Sequence, residues 1–199
     1  MSGARAVLML ASQSPRRQDL LRQAGIPFIV IPAAVEERPL PGEDARSHVE
    51  RLARAKAGAV GATPEDIVLG ADTVVVVDGQ ILGKPADAAD AERMLRLLSG
   101  REHQVITGIC LRRGDQIITD AETTTVRFVA LTDNEIRDYV ASGEPLDKAG
   151  AYAIQGLAAK FIDRIEGCYF NVVGLPLALV WKHLRPLSGG ETSVTTHPR

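Results

Sequence analysis

Hydrophobic and polar positions along this chain repeat with two different periods. The longest apolar run, IVLGADTVVVV at residues 67–77, is built from β-branched and small residues and predicts a buried strand. Asp78-Gly79 supplies a two-residue turn, and residues 80–82 return beside the run as a hairpin. Shorter apolar runs at 6–11 and 28–31 predict two more strands, and 105–112 and 116–128, joined at RRGD, predict two long ones. Helical spacing appears between them. Val49, Leu52, Ala53, Ala59 and Val60 form a stripe over residues 45–60, behind an Asp44 cap. Ala91, Met94, Leu95 and Leu98 form another, with Asp87 as cap, Asp90 three residues on and Gly100 as stop. Thr132 and Glu135 make a capping box that opens a helix ending at Gly143. Apolar segments on either side of Glu166-Gly167 predict two strands, and Pro176 starts a final helix with Leu177, Val180, Trp181 and Leu184 on one face. Strands and helices mix without strict alternation. The pattern predicts an α/β (mixed α+β) protein with a mixed sheet flanked by helices.

Charged residues set against this pattern mark candidate chemistry. Asp72 is the single carboxylate inside the long apolar run. Burying it uncompensated costs on the order of several kcal/mol, so it needs hydrogen bonds, a cation or a metal. Lys84, just past the hairpin, is one candidate partner. The bland alternative is that Asp72 caps a turn or that the strand ends at Gly70. In SQSPRRQDLLRQAGIPF, Ser14 is an N-cap, Pro15 suits the first helical position, Gly25 closes the helix and Pro27 prevents its resumption. Arg16 and Arg17 then occupy a first turn where partial positive charge favours acids. That placement makes sense if free N–H groups and two guanidinium forks meet one anion; otherwise the arginines are merely solvated. Lys56 falls in the apolar stripe of its helix and either snorkels or reaches an internal anion. Glu36 and Glu37 lie in a proline-rich loop, where acids are usually just solvated.

Composition narrows the field. The chain has 199 residues, 45% of them hydrophobic, enough for a real core and most simply one domain over residues 1–187 with two lobes as a variant. Net charge is −2, so no global field draws nucleic acid or anionic membrane. The apolar runs fall short of a membrane span, and the first residues lack a signal peptide's apolar region. Cys110 and Cys168 show no ligand spacing and suit reduced thiols in a cytoplasmic protein. Residues 188–199 are polar and unpatterned, which predicts a disordered tail. Neither GxxxxGK[ST], GxGxxG nor HExxH occurs, which argues against a P-loop enzyme, a classical dinucleotide binder and a zincin.

Four stretches in order, SQSPRRQDLL, LGADTVV with ILGKP, LSGREHQVITG, and LDKAGAYAIQG with VVGLPL, resemble the Maf family of nucleoside triphosphate pyrophosphatases over roughly residues 6–187. The resemblance implies a long twisted mixed sheet in two lobes with a cleft, like inosine triphosphate pyrophosphatases. It also implies cytoplasmic hydrolysis of a nucleoside triphosphate to monophosphate and pyrophosphate with a divalent metal, Mg²⁺ or Mn²⁺. By this likeness Asp72 is the proton acceptor, and Arg16, Thr73 and Gln155 set specificity. Ser12, Arg17, Lys56 and Lys84 bind phosphate, while Glu37 and Asp72 hold the metal. The threonine after Asp72 and the glutamine of IQG place the chain in the dTTP/UTP branch, modified pyrimidines included; Ala158 and Cys168 are mild departures from relatives. A homodimer is the expectation from those relatives, with no nucleic acid or membrane partner.

Two chemical points qualify that reading. Asp72 and Thr73 are adjacent, so in a regular strand they point to opposite faces, and the strand must end or bulge there for both to line one site. The Gln155 amide matches N3–H and O4 of uracil or thymine but, flipped, pairs equally well with cytosine. The competing function is a nucleotide-binding regulator of cell division or septum formation with little or no turnover. A nucleic-acid-binding module is disfavoured by the charge balance.

Overall fold

The computed structural model describes residues 7–188; the predicted disordered tail lies, apart from Ser188, outside the described residues. In chain order the elements are β1 (Leu8–Leu10), α1 (Pro15–Gln23), β2 (Ile29–Val30), α2 (Ala45–Gly58), β3 (Ile67–Val77), β4 (Gln80–Leu82), α3 (Ala88–Leu98), β5 (Glu102–Arg113) and β6 (Gln116–Phe128). They continue with α4 (Asp133–Ala141), 3-10 turns at Glu144–Asp147, Ala149–Ala151 and Leu157–Phe161, β7 (Ile162–Glu166), α5 (Tyr169–Val173) and α6 (Leu177–Leu187). The sheet has seven strands in the order β2-β1-β3-β5-β6-β7, with β4 paired to β3. β1 runs parallel to both β2 and β3, whereas β3 with β4 and β6 with β7 are antiparallel. The sheet is therefore mixed, as the pattern predicts.

The chain divides into two compact units. Among the described residues, one contains 7–72, Gly108–Ala121 and 174–188; the other contains Thr73–Thr107 and Glu122–Val173. In the first, Ala11, Ala53, Ala57, Val60, Val68 and Cys110 pack together beneath α2. Asp44 caps that helix as predicted, accepting from Arg46 N and Ser47 N. Ala59 is exposed rather than buried, and Lys56 and Ala57 complete the buried face.

In the second unit, Asp78 and Gly79 take positive φ angles of 49° and 74° and pair Val77 with Gln80, the two-residue hairpin expected. α3 buries Ala91, Met94, Leu95 and Leu98, the predicted face, and α4 carries the full Thr132–Glu135 capping box. Phe128, Tyr152 and His103 meet edge to face, with centroids 4.9 to 5.4 Å apart. His103 is 2% exposed, and its Nε2 lies 2.8 Å from the Tyr152 hydroxyl. Burial pushes its pKa down to about 4, so the ring is neutral in the fold. On acidification the unfolded chain takes up this proton first, near pH 6.5, and the folded chain only near 4. Stability therefore falls as pH drops through that window, by about 3 kcal/mol from this group. Urea unfolding at pH 7, 5.5 and 4.5 should show the decline, and His103→Gln should flatten the 6.5-to-4 part of the curve.

Two predicted elements differ. The second strand expected after Gly167 is the helix α5, in which Asn171 N and Val172 N both donate to Cys168 O. A short apolar run carries no period that separates strand from helix. Here the deciding residue is polar: the fully buried Asn171 amide donates to Val105 O (2.9 Å) and Thr124 Oγ1 (3.0 Å). In α6 the buried residues are Val180, Leu184 and Leu187, while Trp181 is 37% exposed.

Candidate active site

In the first unit Ala11 N donates to Leu69 O (2.8 Å), prolonging the β1–β3 pairing before the chain turns at Ser12. Ser14 stands at the N-cap of α1 and Pro15 follows it, but the Ser14 side chain makes no capping bond. Ser12 Oγ serves the turn instead, accepting from Ser14 N at 3.2 Å. At the far end Gly25 adopts φ 66°, Ile26 N reaches Leu21 O and Gly25 N reaches Arg22 O, which closes the helix where the sequence predicts.

The two arginines of the first turn part company. Arg17 is 9% exposed; its Nε donates to Gly174 O (2.8 Å) and its Nη1 to Ala71 O (3.0 Å) and Ser12 Oγ (3.2 Å). Burial lowers its pKa, Asp72 and Glu37 raise it, and Arg16 lowers it further. Arg16 is half-buried at the helix start. Through these contacts to Ser12, Ala71 and Gly174, Arg17 supplies the donor that the buried acceptors around it need and ties the turn to the strand beside Asp72.

Asp72 is 7% exposed and Lys56 6% exposed. Lys56 Nζ lies 2.7 Å from Asp72 Oδ1 and 2.6 Å from Glu37 Oε1, so one buried ammonium joins a buried carboxylate to a more exposed one. Lys56 reaches an internal anion rather than snorkelling. It also takes the place that sequence spacing suggested for Lys84, which is exposed just beyond β4. The strand does not end at Gly70, and Asp72 caps no turn.

Close backbone approach makes this reach possible. A Cβ on Gly70 would stand 2.1 Å from Ala53 O and 2.8 Å from Ala57 N, and one on Gly108 2.5 Å from Val49 O. The α2 backbone therefore rests directly on β3 and β5, with Lys56 beside Ala57 and two strand positions separating Gly70 from Asp72 on one face. A second anchor, unforeseen from sequence, holds the Glu37 loop. Glu43 accepts from Arg51 Nε (2.5 Å), Arg51 Nη2 (2.7 Å) and Leu40 N (3.0 Å), and lies 3.0 Å from His48 Nδ1. Arg51 also donates to Arg38 O at 3.1 Å, next to Glu37. The Arg51 hydrogen bonds hold the Glu43 carboxyl well below the usual range, so the clamp persists in mild acid. The only sequence signal was an acid just before the Asp44 cap.

The remaining predicted residues belong to the second unit. β3 runs on through Gly70–Thr73, so the strand does not end there to turn Thr73 toward Asp72. The Thr73 hydroxyl instead lies 2.9 Å from that of Thr107, which donates to Asn171 O (3.2 Å). Gln155 is exposed in a turn closed by Gly156 N on Ala153 O (3.0 Å).

Among the described residues no group of three His, Cys, Asp or Glu could hold a metal by itself. The donor chemistry still fits a hard divalent cation. Glu37 and Asp72 place two carboxylates on either side of one Lys56 ammonium, and Mg²⁺-type ions take one or two carboxylates with the remaining ligands from phosphate and water. No helix among the described residues is long and apolar enough to cross a membrane.

Residues 7–187 match the Maf-like protein family. The chain is 54% identical over 179 residues to a protein of Koribacter versatilis (strain Ellin345) named dTTP/UTP pyrophosphatase, covering 89% of this chain and 93% of that one. It is 58% identical over 171 residues to a protein of the same name from Symbiobacterium thermophilum, covering 85% and 88%. Among solved structures it is similar in fold to the Staphylococcus aureus Ham1 protein, with a TM-score of 0.51, 18% identity and coverage of 90% and 98%.

Proposed function

This chain belongs to the Maf family, and from that premise we propose that it hydrolyses dTTP and UTP to the nucleoside monophosphate and pyrophosphate in the cytoplasm. The observation that carries the reading is the buried Asp72 carboxylate of β3, held by the buried Lys56 ammonium of α2. A triphosphate brings about four negative charges, and Arg16, Arg17, Lys56 and Lys84 are the cations assigned to meet them. Ser12 and Arg17 shape the turn on which Arg16 stands.

Asp72 accepts a proton from water as the water oxygen bonds to the α-phosphorus. The bond from that phosphorus to the β-bridging oxygen breaks, and pyrophosphate leaves with the electron pair. Lys56 holds Oδ1 of Asp72, which assigns the proton to Oδ2. Glu37 and Asp72 would hold Mg²⁺ or Mn²⁺, which when bound neutralises phosphate charge. Gln155 reads the pyrimidine edge with one acceptor and one donor. Thr73, whose hydroxyl lies 2.9 Å from that of Thr107, is the further specificity position.

Pyrophosphate release from dTTP, UTP, CTP, the purine triphosphates and 5-modified pyrimidine triphosphates, with Mg²⁺ or Mn²⁺, tests this reading. Selective turnover of dTTP and UTP is the expected result. Failure to turn over any of the panel at micromolar protein would overturn it in favour of a binding role.

A further inference from the structure

The turn that presents Gln155 is gripped from both sides by groups with no part in the chemistry above. Glu144, at the head of the first 3-10 turn, places both carboxylate oxygens on Leu157 N, at 3.0 and 3.1 Å. The Tyr139 hydroxyl, from α4, donates to Glu144 Oε1 (2.8 Å) and accepts from Ala153 N (3.2 Å). The backbone is therefore fixed two residues before Gln155 and two residues after it. Lys148 Nζ donates to Glu144 O (2.7 Å), which fastens the carboxylate's own backbone. Packing leaves no slack: a Cβ on Gly156 would lie 2.2 Å from Glu144 Oε2. Burial raises the Tyr139 pKa, so the phenol remains a neutral donor wherever the protein is folded.

A glutamine amide pairs with uracil or cytosine according to which end faces the base. Discrimination therefore needs a fixed approach of the peptide that carries it, and an exposed turn without anchors would supply several. We propose that Glu144 and Tyr139 are positioning residues for pyrimidine selection, a latch that holds the Gln155 turn in the register that favours uracil and thymine over cytosine. The proposal rests on the dTTP/UTP reading above.

The test compares kcat and KM for UTP, dTTP and CTP in the full chain with Glu144→Ala, Glu144→Gln, Tyr139→Phe and Gln155→Ala, alongside thermal unfolding. Glu144→Ala is expected to lower kcat/KM for UTP and dTTP about tenfold or more, chiefly through KM, and to narrow the ratio to CTP. Glu144→Gln, which keeps an acceptor for Leu157 N, should recover part of the loss. Tyr139→Phe should give a smaller shift in the same direction and stands in if Glu144→Ala does not fold. If Gln155→Ala changes base preference while folded Glu144→Ala and Tyr139→Phe leave the UTP-to-CTP ratio unchanged, the latch is wrong and the base reading stands. If Gln155→Ala leaves preference unchanged, both fall.

Discussion

Asp72→Asn is expected to lower kcat for UTP and dTTP by about a thousandfold, within the range for loss of a positioned general base. Asparagine has nearly the volume of aspartate and still offers an oxygen to Lys56, whose other carboxylate partner, Glu37, stays in place. The fold should therefore survive, and the melting temperature should move by only a few degrees. Lys56→Met makes the complementary case. It strands Asp72 as a buried carboxylate without its cation, so it should depress both activity and stability, the latter by about 3 kcal/mol. The diagnostic combination is Asp72→Asn: folded, nucleotide-binding and nearly inert in pyrophosphate release. Turnover within a few-fold of the parent would remove Asp72 from the reaction.

Gly70→Val should be the most damaging single change outside the reacting groups. The added side chain would begin 2.1 Å from Ala53 O, and the obstacle is helix backbone, which cannot rotate away as a flexible side chain would. Either α2 lifts from β3 or the strand shifts, at about 3 kcal/mol or more of stability. Whatever protein still folds should lose activity beyond its loss of stability, because lifting α2 draws Lys56 from Asp72. Urea unfolding and kcat on the same preparation read the two effects separately. A Gly70→Val protein with parental stability would mean that the helix does not bear on the strand as described.

Local rules made much of the fold legible. Asp78-Gly79 demanded a tight hairpin, Thr132 with Glu135 declared a helix start, and the spacing of Ala91, Met94, Leu95 and Leu98 named the buried face of α3. Asp72 stood out because an acid in an apolar run needs a partner. The identity of that partner was not legible: Lys84 was near in sequence, whereas Lys56 is near in space because two glycines, Gly70 and Gly108, let a helix settle onto strands. Nothing in the spacing of two arginines said that one would turn inward to Gly174 and Ala71. Likewise CYFNVV read as a strand because its apolar run outweighed Asn171, whose buried amide meets groups from β5 and β6. In each instance the missing information was tertiary: a backbone surface or a carbonyl far along the chain.

The Arg17 guanidinium has a consequence for the order of events during synthesis. Its acceptors lie 5, 54 and 157 residues away along the chain, at Ser12, Ala71 and Gly174. The contact to Ser12 can form as soon as α1 does. The contact to Ala71 waits for β3, and that to Gly174 waits until nearly the whole matched region has left the ribosome. The turn that carries Arg16 thus reaches its final bracing late, after a segment about a hundred residues beyond Asp72 in sequence has arrived. The three acceptors of this one guanidinium can be assembled only when nearly the whole matched region has been made.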